Sequence, residues 1–258
     1  MSDPYERSAE YIDIMIAEAW EAFGPALTEA LKGVETIAGT VVDLGAGSGR
    51  GVRAACAALP GDSPVLAVEP SSVLRAVLLA RVHEDARLRR RVTVSAGDAL
   101  SAPLPATIRA LMAMNMIGHL APGERRDLWA RVAPRLIPGG QVILNLAPPR
   151  APTRVPPGLM ANLTVGDLTY EGRASAEPSG AHQVTWHMTY RTLQQGQLLS
   201  EVAVDYDWWV LDEPELAGEL GEHGLTLRPA GHPDLGLYIA SRALDSTVPA
   251  SHPVHPRR

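Results

Sequence analysis

The chemistry this sequence can do is concentrated in a glycine run and the acids spaced after it. Val41-Val42-Asp43-Leu44-Gly45-Ala46-Gly47-Ser48-Gly49-Arg50-Gly51 joins a β-branched stretch to an alanine-rich one. Glycines in such a turn let the backbone approach a ligand closely, and a helix starting behind them offers unpaired N–H groups to an anion. The dinucleotide fingerprint G-x-G-x-x-G fails here, because its third glycine would fall on Arg50. The alternative spacing, Gly45-x-Gly47-x-Gly49, follows an acid, Asp43. A carboxylate is poorly placed beside a pyrophosphate and well placed beside an ammonium or a sulfonium. Glu69, Gly97-Asp98-Ala99 and Asn115-Met116 then each follow a later apolar run, with His119 in the turn after Gly118.

These residues need a scaffold, and the hydrophobic pattern supplies one. Strands are expected at 40–44, 65–68, 92–95, 108–114 and 141–146, with helices between them, Ser71 capping the one over 73–82. Strands alternating with helices imply a doubly wound, mostly parallel α/β sheet, since parallel neighbours need long crossovers. Before it, residues 10–31 read as two helical pieces broken at Gly24-Pro25. After it, five prolines fall between Pro148 and Pro157, and the period changes to two. Residues 182–190 and 198–210 alternate, with Gln194-Gln195-Gly196-Gln197 as a hairpin turn and 165–174 as a third strand of an antiparallel insertion. A helix over 213–221 and a strand over 237–240 return to the main sheet. The resulting division is an N-terminal helical lid (1–39), a core (40–147), the β insertion (148–212), a return segment (213–242) and a frayed tail (243–258).

Composition sets the limits. The chain has 258 residues, 46% of them hydrophobic, enough for one core plus an attachment. A net charge of −6 argues against nucleic acid or anionic lipid as a partner. One cysteine, Cys56, precludes an internal disulfide, and no apolar run approaches a bilayer span, so a cytoplasmic protein is expected. His252 and His255 lack further ligands, and no metal site is expected.

Taken in order, the motifs over residues 40–146 resemble the class I S-adenosylmethionine-dependent methyltransferases, whose first motif is an acid, one residue, then Gly-x-Gly-x-Gly. The resemblance implies a Rossmann-like fold with S-adenosylmethionine as cofactor and S-adenosylhomocysteine as product. It implies that Asp43, Gly45, Ala46 and Gly47 form the cofactor turn and that Glu69, beside Pro70, takes the ribose hydroxyls. Asp98 and Ala99 would meet the adenine, and Asn115 and Met116 would face the transfer site. Arg135-Leu136-Ile137-Pro138-Gly139-Gly140 resembles the family's turn before strand five. Many small-molecule members roof the cofactor with an N-terminal helix, which gives Tyr11 that part.

Methyl transfer from a sulfonium is an in-line displacement that needs alignment more than reactive side chains. His119 is the candidate base and Asn115 a second catalytic candidate. The family's Asp/Asn-Pro-Pro-aromatic sequence is absent, which argues against adenine, cytosine and glutamine acceptors. Aromatic residues are scarce, yet five Trp and Tyr lie between Trp186 and Trp209, and Trp186, Tyr190 and Trp208 are the candidate substrate contacts. The expected acceptor is a small metabolite or peptide of natural-product type, nitrogen slightly favoured over oxygen, and a homodimer is a possible assembly. The alternatives are a protein of this fold catalysing another reaction such as cyclisation, and an NAD(P)-dependent oxidoreductase.

Overall fold

A computed structural model of the chain describes residues 3, 5–34, 36–59 and 61–242. The tail beyond 242, with His252 and His255, lies outside the described residues. Two helices, α1 (Ala9–Met15) and α2 (Ala17–Lys32), precede a seven-stranded sheet with flanking helices. The strands β1 (Thr40–Leu44), β2 (Val65–Val68), β3 (Val92–Ser95), β4 (Ile108–Ala113) and β5 (Leu136–Asn145) are mutually parallel. At the far edge β10 (Leu225–Ala230) and β11 (Leu237–Arg242) run antiparallel, giving the order β10-β11-β5-β4-β1-β2-β3. Every residue of β4 is buried, as expected of a strand covered on both faces.

The helices α3 (Arg50–Ala58), α4 (Ser72–Glu84), α5 (Ala86–Arg91) and α6 (Pro122–Val132) provide the crossovers. Ser71 caps α4 as expected, its hydroxyl accepting from the Leu74 N–H. A last helix, α7 (Glu213–Gly221), is tied to α6 by a buried Arg125–Glu219 ion pair, which also receives the Trp129 indole N–H.

Between β5 and α7 lies a second, four-stranded antiparallel sheet: β6 (Val155–Val165), β7 (Leu168–Gly180), β8 (Gln183–Gln194) and β9 (Gln197–Trp209). One face turns inward with Met188, Tyr190, Val204 and Tyr206, and the other shows polar pairs such as Thr185–Asp207 and His187–Asp205. It is fastened to the rest at two places. Tyr11 and Met15 of α1 pack with Ala161, Ala174, Met188 and Tyr190. Trp208 of β9 lies flat on the turn Ile117–His119, where a Cβ on Gly118 would stand 1.9 Å from the indole.

Three expectations are corrected. The break between α1 and α2 is at Ile16, and α2 continues through Gly24-Pro25, because Leu27 and Leu31 hold its later turns in the core. The stretch 165–174 crosses a turn at Gly166-Asp167, so it is parts of two strands. Pro138-Gly139-Gly140 lies inside β5, where the register with β4 shifts, not before it. No helix among the described residues is long and apolar enough to cross a membrane.

Candidate active site

The chain order reverses between β1 and β4, and in open α/β sheets the crevice beyond the strand ends at such a point holds the ligand. Four strand ends border it. Beyond β1, Gly45 (φ 66), Gly47 (φ 54) and Gly49 (φ 93) adopt left-handed conformations that only glycine enters freely. Gly45 also leaves room for Met116, whose Cβ would lie 3.1 Å from a Cβ there. Ala46 is spent internally, its N–H donating to the Val68 carbonyl.

Beyond β2, Glu69 is 3% exposed, accepting from the Gly47 N–H at 2.7 Å and the Ser71 N–H at 2.8 Å. Burial raises its pKa, those two N–H donors pulling against it. Each oxygen keeps a lone pair free, which suits a diol. Pro70 beside it is exposed, and its carbonyl accepts from Arg75. Asp43, 2% exposed, sits behind the glycine turn, its Oδ2 against Gly51 and without a hydrogen-bond partner. Burial, and secondly the Glu69 carboxylate, push its pKa up to about 8 against a hydrogen bond from the Val52 N–H. Asp43 is therefore largely protonated near pH 7 until a cation beside it favours the ionised form. Two buried carboxylates that repel one another fit a cationic ligand such as a sulfonium with its ammonium.

Beyond β3, Asp98 caps its own loop, accepting from the Leu100 and Ser101 N–H groups and the Ser101 hydroxyl. Burial works against it, but these bonds hold its pKa below the usual carboxylate value. Arg131 grips the carbonyls of Ala99 and Ala102 and fixes this loop. Beyond β4, Asn115 (φ 53) donates its N–H to Asn145 Oδ1 and accepts from Asn145 Nδ2, both at 2.7 Å. Asn145, at the end of β5, was not among the expected residues, although the strand-end rule points to it.

The next group is aromatic. His119 Nε2 lies 2.9 Å from the Tyr5 hydroxyl, and its ring centroid is 4.8 Å from Trp208 and 5.9 Å from Tyr206. Solvent reaches the imidazole through the open side of this recess, yet the surrounding protein desolvates it and depresses its pKa to about 4. Burial likewise raises the Tyr5 phenol, with Tyr206 and Glu69 adding to it, so both groups are neutral near pH 7. Of the candidate substrate contacts, Trp208 lies beside His119, and Trp186 stands opposite Tyr206 across the strand pair. Tyr190 is enclosed behind them, stacked on Tyr11 at 5.2 Å.

Tyr11 does not roof the glycine turn. It is fully buried, and its hydroxyl bonds to Thr192 and Ser200 of the second sheet. The N-terminal contact with the site comes from Tyr5, while Asp13 of α1 reaches the glycine turn. Cys56 is enclosed, and burial raises its thiol pKa. Among the described residues no group of His, Cys, Asp and Glu could hold a metal ion.

Residues 41–140 match the protein family described as Methyltransferase domain. No curated protein matches the chain in sequence. Among solved structures, CalS10, a SAM-bound amino pentose methyltransferase from Micromonospora echinaspora involved in calicheamicin biosynthesis, aligns with a TM-score of 0.73 and 16% identity, over 94% of this chain and 100% of that one. DesVI of Streptomyces venezuelae aligns with 0.73 and 15%, over 91% and 98%. The glycopeptide N-methyltransferase MtfA in complex with S-adenosylmethionine aligns with 0.54 and 20%, over 90% and 96%. At these identities the likeness is one of fold, and it extends through the inserted sheet. Residues 41–140 are thus a methyltransferase domain, and the fold around them is that of class I S-adenosylmethionine-dependent methyltransferases. CalS10 and MtfA hold S-adenosylmethionine in this fold.

Proposed function

We propose that the protein methylates a nitrogen of a small metabolite or peptide of natural-product type. The observation that carries this reading is the neutral His119, held between Tyr5 and Trp208 beside the strand ends that bear Glu69 and Asn115. Bound S-adenosylmethionine would supply a methyl group on a sulfonium, the acceptor lone pair forming a bond to the methyl carbon as its bond to sulfur breaks and the thioether of S-adenosylhomocysteine leaves. In this reading Glu69 holds the ribose hydroxyls, the glycine turn passes beneath the cofactor, and Asp43 and Glu69 favour its positive charge. Asp98 and Ala99 belong to the adenine side, and Asn115, fixed by Asn145, and Met116 border the reacting atoms.

An imidazole with a pKa of about 4 is a weak base for a hydroxyl at neutral pH. A free amine needs no such base. His119 can accept a hydrogen bond from its N–H and orient its lone pair, while Trp208, Tyr206 and Tyr5 present aromatic faces. CalS10 is an amino pentose methyltransferase and MtfA a glycopeptide N-methyltransferase, which supports the same direction.

The test is incubation of candidate amines and their hydroxyl analogues with S-adenosylmethionine, followed by mass spectrometry for a methyl increment. Methylated hydroxyls with unmodified amines would overturn the assignment of nitrogen. A homodimer is supported by the exposed Leu163, Val165, Leu198 and Leu199, 42–55% exposed, which flank the two hairpin turns at the outer end of the second sheet. Light scattering tests it, and a monomer at micromolar concentration rejects it.

A further inference from the structure

The N-terminal segment, residues 3 and 5–15, crosses the mouth of the site and is fastened on both sides. Asp3 accepts from the Ser72 N–H at the start of α4, and Tyr5 meets His119. At the other end Asp13 of α1 enters a cluster built on the glycine turn. Its carboxylate accepts from the Ser48 hydroxyl, from Arg50 Nε and Nη2, both at 2.9 Å, and from Arg81 Nη1 at 2.8 Å and Nη2. Arg50 also donates to the Asp13 carbonyl, and Arg81 to that of Ser48. One side chain of the strap thus joins the cofactor turn, the first residue of α3 and the last turn of α4.

We propose that Asp13 is a positioning residue, a latch through which the glycine turn holds the N-terminal strap closed and keeps Tyr5 on His119. The proposal rests on the cofactor assignment above. Its chemistry is that of a charge-assisted network: burial alone would raise the Asp13 pKa, but hydrogen bonds from Arg81, Arg50 and Ser48 outweigh it and hold the carboxyl far below its usual range. The latch therefore stays ionised across the working pH. Nothing else in α1 touches the cofactor turn with a charged group, since Tyr11 and Met15 face the second sheet. When the cluster is broken, α1 keeps its apolar seat while the segment carrying Tyr5 loses its fixed distance from the turn. Cofactor exchange then becomes faster, and the side of His119 that Tyr5 covers opens to water as well.

Asp13→Asn keeps the shape and removes the charge. The expected result is an S-adenosylhomocysteine dissociation rate raised about tenfold, with Asp13→Glu partly restoring it. A second readout needs no cofactor: the NMR titration of His119 moves up toward an ordinary histidine value as the strap opens. Tyr5 of the strap and Tyr206 of β9 are the titratable groups facing His119, with Glu69 and Asp3 behind Tyr5. Failure of S-adenosylhomocysteine to bind the wild type would sink the cofactor reading while leaving the titration to judge the latch. If Asp13→Asn does not fold, Arg81→Gln breaks the same cluster from the core side. Unchanged dissociation and unchanged His119 titration in a folded variant overturn the proposal.

Discussion

The Tyr5 hydroxyl and His119 Nε2 are 2.9 Å apart across 114 residues of sequence, joining the strap to the turn after β4. Removing the ring tests what it does. Tyr5→Ala should raise the His119 midpoint from about 4 toward 6.5, because desolvation is the cause of the depression. A histidine held neutral in the fold opposes folding at low pH. The wild type should gain stability as pH rises from about 4 to about 6.5, and Tyr5→Ala should show less of that gain. NMR titration and denaturant melts read both.

His119→Ala should lower kcat by about tenfold to a hundredfold while leaving the KM for S-adenosylmethionine within about twofold. Steady-state kinetics with a methylatable amine separates the two parameters. Equal losses in both would move His119 to the cofactor side.

Asp43 gives a pH dependence of opposite sense. Its carboxyl titrates near 8 folded and near 3.8 unfolded, so over that range the folded protein keeps a proton the unfolded chain has lost. Stability of the cofactor-free protein should fall as pH rises through this window. A bound cation favours the ionised form, so affinity for S-adenosylmethionine should rise between about pH 6 and about pH 8, with a proton released on binding. Asp43→Asn should flatten both trends. Calorimetry in buffers of different ionisation heat measures the released proton, and a flat wild-type profile contradicts the argument.

Gly118 should tolerate no side chain. A Cβ would overlap the Trp208 indole, so Gly118→Ala should cost about 1–3 kcal/mol and displace His119. Shortening the partner should relieve it: Gly118→Ala with Trp208→Leu should melt above Gly118→Ala alone.

Removing one member of the buried Arg125–Glu219 pair leaves an uncompensated charge between α6 and α7. Glu219→Ala should cost about 3–5 kcal/mol, whereas replacing both by leucine should cost far less. Thermal melts of Arg125→Leu, Glu219→Leu and the double variant form the double-mutant cycle.

The parts of this architecture that the sequence disclosed were those with a simple period. β1, β2 and β3 read as short apolar runs ended by Gly45, Glu69 and the Gly97-Asp98 turn, and β8 and β9 read as strict alternation about Gln195-Gly196. What escaped were strands with proline inside them. Pro156 and Pro157 lie in β6, and Pro229 in β10, each an edge strand where a missing N–H breaks no ladder on the open side. In the site, the glycine turn, Glu69 and His119 follow from motif order. Tyr5, Asp13 and Asn145 follow from tertiary docking, and Asp13 in the sequence only interrupts an apolar run. Tyr206 shares its strand face with Trp208, so alternation placed it correctly, but not against His119.

The recess around His119 draws its two sides from distant stretches of the chain. His119 lies within the matched domain, whereas the Tyr206–Trp208 wall comes from the sheet inserted after β5. In the proposed reading, donor and acceptor recognition are thereby written in separate stretches of the sequence. Substitutions within residues 155–209 should then change which nucleophile is accepted while leaving cofactor affinity in place.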